Sequence, residues 1–347
     1  MNLSRELRDR LKKARNSMDE RKIDSLLISN PKNVLYLTGR ESGRLLLSKK
    51  QAFLWVRDLY LGVYKDLYKS SGYPIEVLPY EKDAIAKKAR RLNLKSVGIE
   101  HSNLAQSRKL RSAFKSKVKP TGIIENQRAV KTGYEIEMLK KSASIAVKGM
   151  EKAFKVVTEG VREVDAAAEI EKEIRRQGSE TTPFHDGMLL SSGSRSADIH
   201  AHPTRNRIKG LVIADLGARY NYYYSDMTRT IAIGKTSKKE KELLGFVENL
   251  KDNTIDQIKP GVKASEVHDW IEDELKKKGF KFYHAAGHGI GLEVHEKPGL
   301  GGDSEDTLEE DMAFTIEPGI YIPNKYGIRF EDTVILTKKG CKTITKN

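Results

Sequence analysis

The residues of this chain that could do chemistry gather in three stretches. The first, AAGHGIGLEVHE from Ala285 to Glu296, sets His288 and His295 seven positions apart among Gly287, Gly289 and Gly291. Glycine weakens a strand and contributes no side chain, so this alternation predicts a backbone that a metal or substrate approaches closely. The second, VIADLGARYNYYYSDMTRTIAI, alternates apolar and polar residues as a β-hairpin does and carries Asp215 and Asp226. The third, MAFTIEPGIYIPNKYGIRFEDTVIL, reads the same way and carries Glu317 and Glu331. A carboxylate inside an apolar strand is costly unless its charge is paired or bound to a cation. Any one alone could be a salt-bridged or turn residue. Four of them on two hairpins, with a histidine alongside, point to a metal site.

Asp215, Asp226, His288, Glu317 and Glu331 make four carboxylates and one imidazole, more than one ion needs. A tetrahedral structural zinc prefers thiolates and histidines, whereas carboxylate-rich sites suit harder ions and can bridge two of them. The expectation is a dinuclear centre. Two divalent ions offset the negative charge, lower the pKa of a bridging water so that hydroxide is available near neutral pH, and polarise the carbonyl it attacks. That is metal-assisted hydrolysis. The one cysteine, Cys341, stands far along the chain from the histidine cluster, can form no intrachain disulfide and reads as a passive residue.

Such a site needs a sizeable framework, and 347 residues are enough for two domains. No apolar run approaches the ~20 residues of a membrane span. The N-terminal stretch MNLSRELRDRLKKARNSMDERKIDSLLIS is charged and helix-like with no apolar signal core, so a cytoplasmic protein is expected, without membrane association. The formal charge of +15 is uneven: residues 1–124 hold 28 Lys and Arg against 12 Asp and Glu, and the remainder 35 against 36. That excess could serve a polyanion partner or steer acidic ligands, but it lacks interleaved aromatics and reads best as a solvated face. Residues 1–124 read as an α/β domain, with DSLLIS, NVLYLTG, RLLLS, AFLWV, IEVLPY and SVGIE as strands between helical stretches. His101 in that domain reads as a surface residue. A boundary near 125 precedes a long amphipathic helix from Gly133 or Tyr134 to about Val157, which opens the second domain, 125–347.

This second domain looks duplicated. FKVVTEGVREVDAAAEIEKEIRRQG and IDQIKPGVKASEVHDWIEDELKKKG match as turn, Gly-Val, amphipathic helix and closing glycine, with Gly160 to Gly178 and Gly261 to Gly279 both 18 apart. The same offset of 101 brings Asp215 to within one residue of Glu317 and Asp226 to within four of Glu331. Two related halves would then bring two hairpins and four carboxylates to one point.

With these motifs in hand, the chain resembles the metallopeptidases of the methionine aminopeptidase, Xaa-Pro aminopeptidase, prolidase and creatinase group. The resemblance runs through NVLYLTG, ADLGARYNYYYSDMTRT, AAGHGIGLEVHEKP, FTIEPGIY and GIRFEDTV and covers nearly the whole chain. It implies a creatinase-like α/β N-terminal domain and an α+β pita-bread catalytic domain with an internal pseudo-twofold duplication. It makes Asp215, Asp226, His288, Glu317 and Glu331 the ligands of two divalent ions, with Asp226 and Glu331 bridging; manganese, cobalt, iron and zinc all suit the set. Glu317 would also accept the water's proton. His200, in SADIHAHPT, matches the histidine near the scissile nitrogen, and His295 the one that steadies the tetrahedral intermediate. His202, His284, His185 and His268 read as structural or peripheral. Arg329, two residues before Glu331, could clamp a substrate carboxylate or pair with a ligand carboxylate. The implied activity is hydrolysis of the Xaa-Pro bond in short peptides, as dipeptidase or aminopeptidase, by a homodimer; the N-terminal domain argues against a methionine aminopeptidase. The alternative is a catalytically idle protein of the same fold that binds RNA or a protein through its basic N-terminal domain, which would require lost ligands. Departures from the pattern fall at Lys209 and Gly210, at Ile199 and at Arg195, none of them a ligand. They leave open how the substrate's ends are held.

Overall fold

The computed structural model describes residues 3–100, 104–182, 184 and 186–346. His101 and His185 lie outside the described residues. The chain divides into two compact units, Met1–Arg128 and Ala129–Asn347, changing over a few residues beyond the point expected from sequence. No helix among the described residues is long and apolar enough to cross a membrane.

In the first unit, strands β1 (Ser25–Ile28), β2 (Arg44–Ser48), β3 (Ala52–Val56), β4 (Glu76–Pro79), β5 (Ser96–Ile99) and β6 (Lys117–Pro120) form one mixed sheet in the order β4-β3-β2-β1-β5-β6. Helices α1 (Leu3–Glu20), α2 (Pro31–Thr38), α3 (Asp58–Ser70), α4 (Ala84–Arg91) and α5 (Leu104–Phe114) connect or flank the strands, and α6 (Ile123–Ala129) closes the unit. The central strands are short and, apart from Arg44 at the start of β2, buried, as continuous apolar runs such as Ala52–Val56 require. One expected strand is a helix: NVLYLTG lies in α2. Its apolar run was misread because the ends decide. The Asn30 side chain accepts from the Lys32 amide at 2.7 Å, Pro31 opens the first turn, and Gly39 closes the last in the left-handed region. The strand KVKP, which was not expected, has Val118 buried and Lys117 and Lys119 exposed at the sheet edge, where lysines discourage further pairing.

The second unit repeats itself. Helices α7 (Gly133–Val156) and α8 (Glu163–Arg176) precede strands β7 (Leu189–Ser192), β8 (Gly210–Tyr220) and β9 (Tyr223–Ile233). Helices α9 (Lys238–Gln257) and α10 (Ala264–Lys277) then precede β10 (His288–Gly289), β11 (Glu296–Gly299), β12 (Ala313–Ile316), β13 (Gly319–Ile322), β14 (Tyr326–Arg329), β15 (Glu331–Thr337) and β16 (Gly340–Thr343). α7 and α9 both open on a capping box, Thr132 with Glu135 and Ser237 with Glu240. α8 and α10 begin 101 residues apart, each preceded by a glycine of positive φ, Gly160 and Gly261. Each half has its own apolar cluster, one around Met150, Ile170 and Leu216, the other around Val247, Ile271 and Phe314.

The large sheet runs β11-β10-β12-β15-β9-β8-β7, with β16 on β15. The upstream hairpin, β8 and β9, is continuous and turns at Asn221 and Tyr222, both of positive φ. The downstream hairpin was expected to match it and differs. It breaks at Glu317 and Pro318 on one side and at Phe330 on the other, so β12 pairs β15 in the large sheet while β13 pairs β14 in a separate two-stranded one. Proline at 318 has no amide to donate to a ladder.

Candidate metal centre

Strand register builds the centre. Asp215 on β8 pairs with Thr228 on β9, and Thr228 pairs with Glu331 on β15, so the three lie in one row across three neighbouring strands. Asp226, two residues before Thr228, shares their face. Thr228 donates to Glu331 Oε2 at 2.6 Å, and Thr333 donates to the Asp226 carbonyl at 2.7 Å. Glu317 enters from the break between β12 and β13. His288 arrives from β10, its amide donating to Thr315 Oγ1 at 3.1 Å.

All five meet in a single cavity of about 510 Å³, which His200, His202, His284, His295 and Arg329 also line. His288 Nδ1 lies 3.2 Å from the Gly289 carbonyl. A carbonyl only accepts, so Nδ1 carries the proton and the Nε2 lone pair faces Asp226 Oδ2 at 3.7 Å and Glu317 Oε1 at 3.6 Å. Ligand atoms of Asp226, His288 and Glu331 lie within 4.8 Å of one another. Asp215 Oδ1 and Asp226 Oδ1 are buried with no hydrogen-bond partner among the described residues.

The electrostatics agree. Burial, then the neighbouring carboxylates, pushes Asp226 well above the usual range, and the same causes raise Glu331. Burial raises Glu317 to about 7. Burial, then His295, whose ring centroid lies 4.2 Å away, lowers His288 to about 3, so this imidazole is neutral. Acceptors facing acceptors, with orphaned carboxylate oxygens, are what a cation would satisfy. Oxygen donors with one imidazole fit divalent metal ions.

Arg329 takes the second of its two expected roles. Its side chain is almost wholly buried, and the guanidinium donates to Asp215 Oδ2 at 2.6 Å, the Tyr321 hydroxyl at 3.0 Å, the Ile199 carbonyl at 3.1 Å and Thr228 Oγ1 at 3.3 Å. A fork so engaged orders the Asp215 carboxylate and keeps no pair of N–H groups with which to clamp a substrate carboxylate bidentately. The glycines are also corrected. A Cβ on Gly287 would stand 1.9 Å from the Thr315 carbonyl oxygen, one on Gly289 2.2 Å from the Lys297 carbonyl, and one on Gly291 2.3 Å from the Glu296 carboxylate. These glycines admit neighbouring chain, and no ligand is needed to explain them.

Two histidines read as peripheral reach the cavity. His284, lowered to about 4 by burial and then by Arg329, bonds Tyr321 through Nε2 at 2.9 Å; His202 stands exposed on the wall. His268 stacks on Phe282, away from the cavity, and burial pushes the Cys341 thiol up to about 12, in keeping with a passive residue. Thr228 and Thr333 also belong to the site, and the sequence carries a signal for them: DMT at 226–228 and EDT at 331–333 are the same carboxylate-x-threonine pattern in both halves.

Residues 137–338 match the model of metallopeptidase family M24, and residues 10–130 match the creatinase/prolidase N-terminal domain. The chain is 36% identical to the Xaa-Pro dipeptidase of Pyrococcus furiosus over 351 residues, 98% of each chain. Among solved structures, an Xaa-Pro dipeptidase from Bacillus anthracis aligns with a TM-score of 0.90 at 33% identity, and the prolidase from Pyrococcus horikoshii with 0.87 at 35%, each covering 98% of both chains.

Proposed function

The chain belongs to metallopeptidase family M24, and from that premise we propose that it is an Xaa-Pro dipeptidase, cleaving dipeptides that end in proline. The observation that carries this is the convergence of Asp215, Asp226, His288, Glu317 and Glu331 in one cavity with carboxylate oxygens left unpartnered. The relatives' specificity supports the substrate. The idle-fold alternative has nothing to rest on, since no ligand position is lost.

In this reading Asp215, Asp226, His288, Glu317 and Glu331 would hold two divalent ions, manganese or cobalt. When bound, the ions supply positive charge against which a water loses its proton near neutral pH and the peptide carbonyl is polarised. The protein's own groups do the rest. Glu317, facing His288 in the cavity, would take the water's proton. His295 is lowered by burial, so at neutral pH its ring is uncharged and offers one N–H to the oxyanion. His200, at the cavity wall, serves the proline nitrogen, which has no proton of its own and must gain one to leave. Arg329 holds Asp215 and the Tyr321 hydroxyl in place.

The test is hydrolysis of Ala-Pro beside Ala-Pro-Ala by metal-stripped enzyme reloaded with manganese, followed by product mass. Cleavage of Ala-Pro alone is expected. Cleavage of the tripeptide would make the enzyme an Xaa-Pro aminopeptidase, and cleavage of neither with manganese, cobalt, iron or zinc would overturn the assignment. The enzyme is further proposed to be a cytoplasmic homodimer, the association being checked by sedimentation.

A further inference from the structure

The internal repeat offers its own control for deciding which residues serve the scaffold and which serve the site. α8 and α10 are held at their first turns by the same backbone bonds. Gly160 donates to the Ile208 carbonyl at 3.0 Å and Gly261 to that of Leu308 at 2.8 Å. Ile208 and Leu308 donate back to Val161 and Val262, both at 2.8 Å. The first residue of each helix donates across in the same way, Glu163 to Asn206 at 3.0 Å and Ala264 to Asp306 at 2.9 Å. Both first residues are fully buried, yet one is a glutamate and the other an alanine.

The scaffold therefore does not need a carboxylate there. Glu163 Oε1 accepts from the Ser192 amide and hydroxyl, both at 2.9 Å. Its Oε2 accepts from the Thr204 amide at 3.0 Å, the Thr204 hydroxyl at 2.7 Å and Arg195 Nη1. Arg195 Nη2 donates onward to the His202 carbonyl at 2.8 Å. Arg329, which also holds Asp215, donates to the Ile199 carbonyl at 3.1 Å. His200 thus sits between two carbonyls, each held by a guanidinium. One ties the loop to a metal-ligand carboxylate and the other ties it to the buried glutamate of α8.

We propose that Glu163 and Arg195 are positioning residues for His200, which together with Arg329 fix the loop from Ile199 to Thr204 against the centre. The half without a histidine-bearing loop at this place has alanine at the matching position because it has nothing to aim. Arg195, one of the departures from the family pattern, is the side chain that spans from Glu163 to the His202 carbonyl. A bidentate guanidinium can make both contacts at once, which a short amide could not.

The kinetic arm of the test rests on the Xaa-Pro dipeptidase reading; the exchange arm does not. In manganese-loaded protein, Arg195→Met is expected to speed hydrogen exchange of the Thr204 amide about tenfold or more, with the matching stretch around Asp306 to Leu308 unchanged. Against Ala-Pro, it should lower kcat by about 10- to 100-fold with KM little changed, the scale of a small misplacement of a reacting group. In a His200→Ala background the same substitution should cost less than about twofold, because its effect runs through that ring. Arg195→Lys should recover part of the loss. Equal losses in both backgrounds, or unchanged exchange, would overturn the proposal. If the wild-type enzyme cleaves no Xaa-Pro peptide, the functional reading fails and the exchange result alone decides.

Discussion

The proposed roles divide the side chains of this centre into those that would hold metal and those that would move protons, and substitution should separate the two. His288 presents a neutral Nε2 to Asp226 and Glu317. His288→Ala is therefore expected to lose bound metal and activity together, as read by metal analysis and turnover. His295, at the cavity wall and not among the closely converging ligand atoms, is expected to leave metal content intact when changed to alanine while turnover falls about 100-fold or more. Retained turnover in that variant would remove its assigned role. Arg329→Met would leave Asp215 as an unpaired buried carboxylate. In the metal-free protein this should cost about 3 kcal/mol or more, measured by denaturant unfolding, and manganese should restore part of it. If metal restores nothing, Arg329 is not acting through the ligand carboxylate.

At the scale of elements, the centre exists because strands from both halves come into register. The row from Asp215 through Thr228 to Glu331 crosses three strands, and β10 brings His288 only because glycine lets it lie hard against its neighbours. A methyl group on Gly287 would overlap the Thr315 backbone, which cannot give way without moving β12 and, at its end, Glu317. Gly287→Ala is expected to destabilise the protein by about 3 kcal/mol and to weaken manganese binding measured by titration. An alanine at Gly245 on α9 meets nothing within 4 Å and should do neither. Equal effects at the two positions would contradict the account of the close approach.

For the molecule as a whole, stability and metal are linked through pH. Glu317 is raised to about 7, and burial also raises Asp226 and Glu331 well above the usual carboxylate range. A carboxyl raised above its unfolded value of about 4.3 stabilises the fold below that value, and this contribution is lost as pH rises through the folded one. His288, lowered to about 3, works in the opposite sense, losing stability as pH falls below about 6.5. Above that pH the carboxylates act alone. The metal-free protein is therefore expected to show a Tm that falls between about pH 6.5 and 8, while the gain in Tm on adding manganese grows over the same range. A manganese effect independent of pH would contradict the buried-carboxylate account. The net charge of +15 acts at longer range. Ala-Pro is a zwitterion and should feel it weakly, whereas kcat/KM for Glu-Pro should fall several-fold on raising ionic strength from about 20 to 200 mM. No difference between the two peptides would show that the excess charge is only a solvated face.

The sequence by itself named the five candidate ligands, which the fold brings into one cavity, and the duplication. Buried carboxylates in apolar strands and glycines at a fixed offset are written in residue type and spacing, and physical cost alone makes them conspicuous. It also located the start and nearly the end of the long helix at Gly133 to Val156, because capping and periodicity are local. One miss was local: NVLYLTG formed a helix because Asn30 and Gly39 cap it, against its strand-like apolar run. The other misses came where the deciding partner is distant. The downstream hairpin split at Glu317 because its two halves join different sheets. Gly287 and Gly289 proved to make room for neighbouring strands. Arg329 turned inward to Asp215, and Glu163 and Arg195 came to bracket the loop of His200, through contacts between residues 7 to 114 positions apart. Spacing along a chain records which residues can share a face; only the packed fold decides which atoms have their hydrogen-bonding capacity already spent.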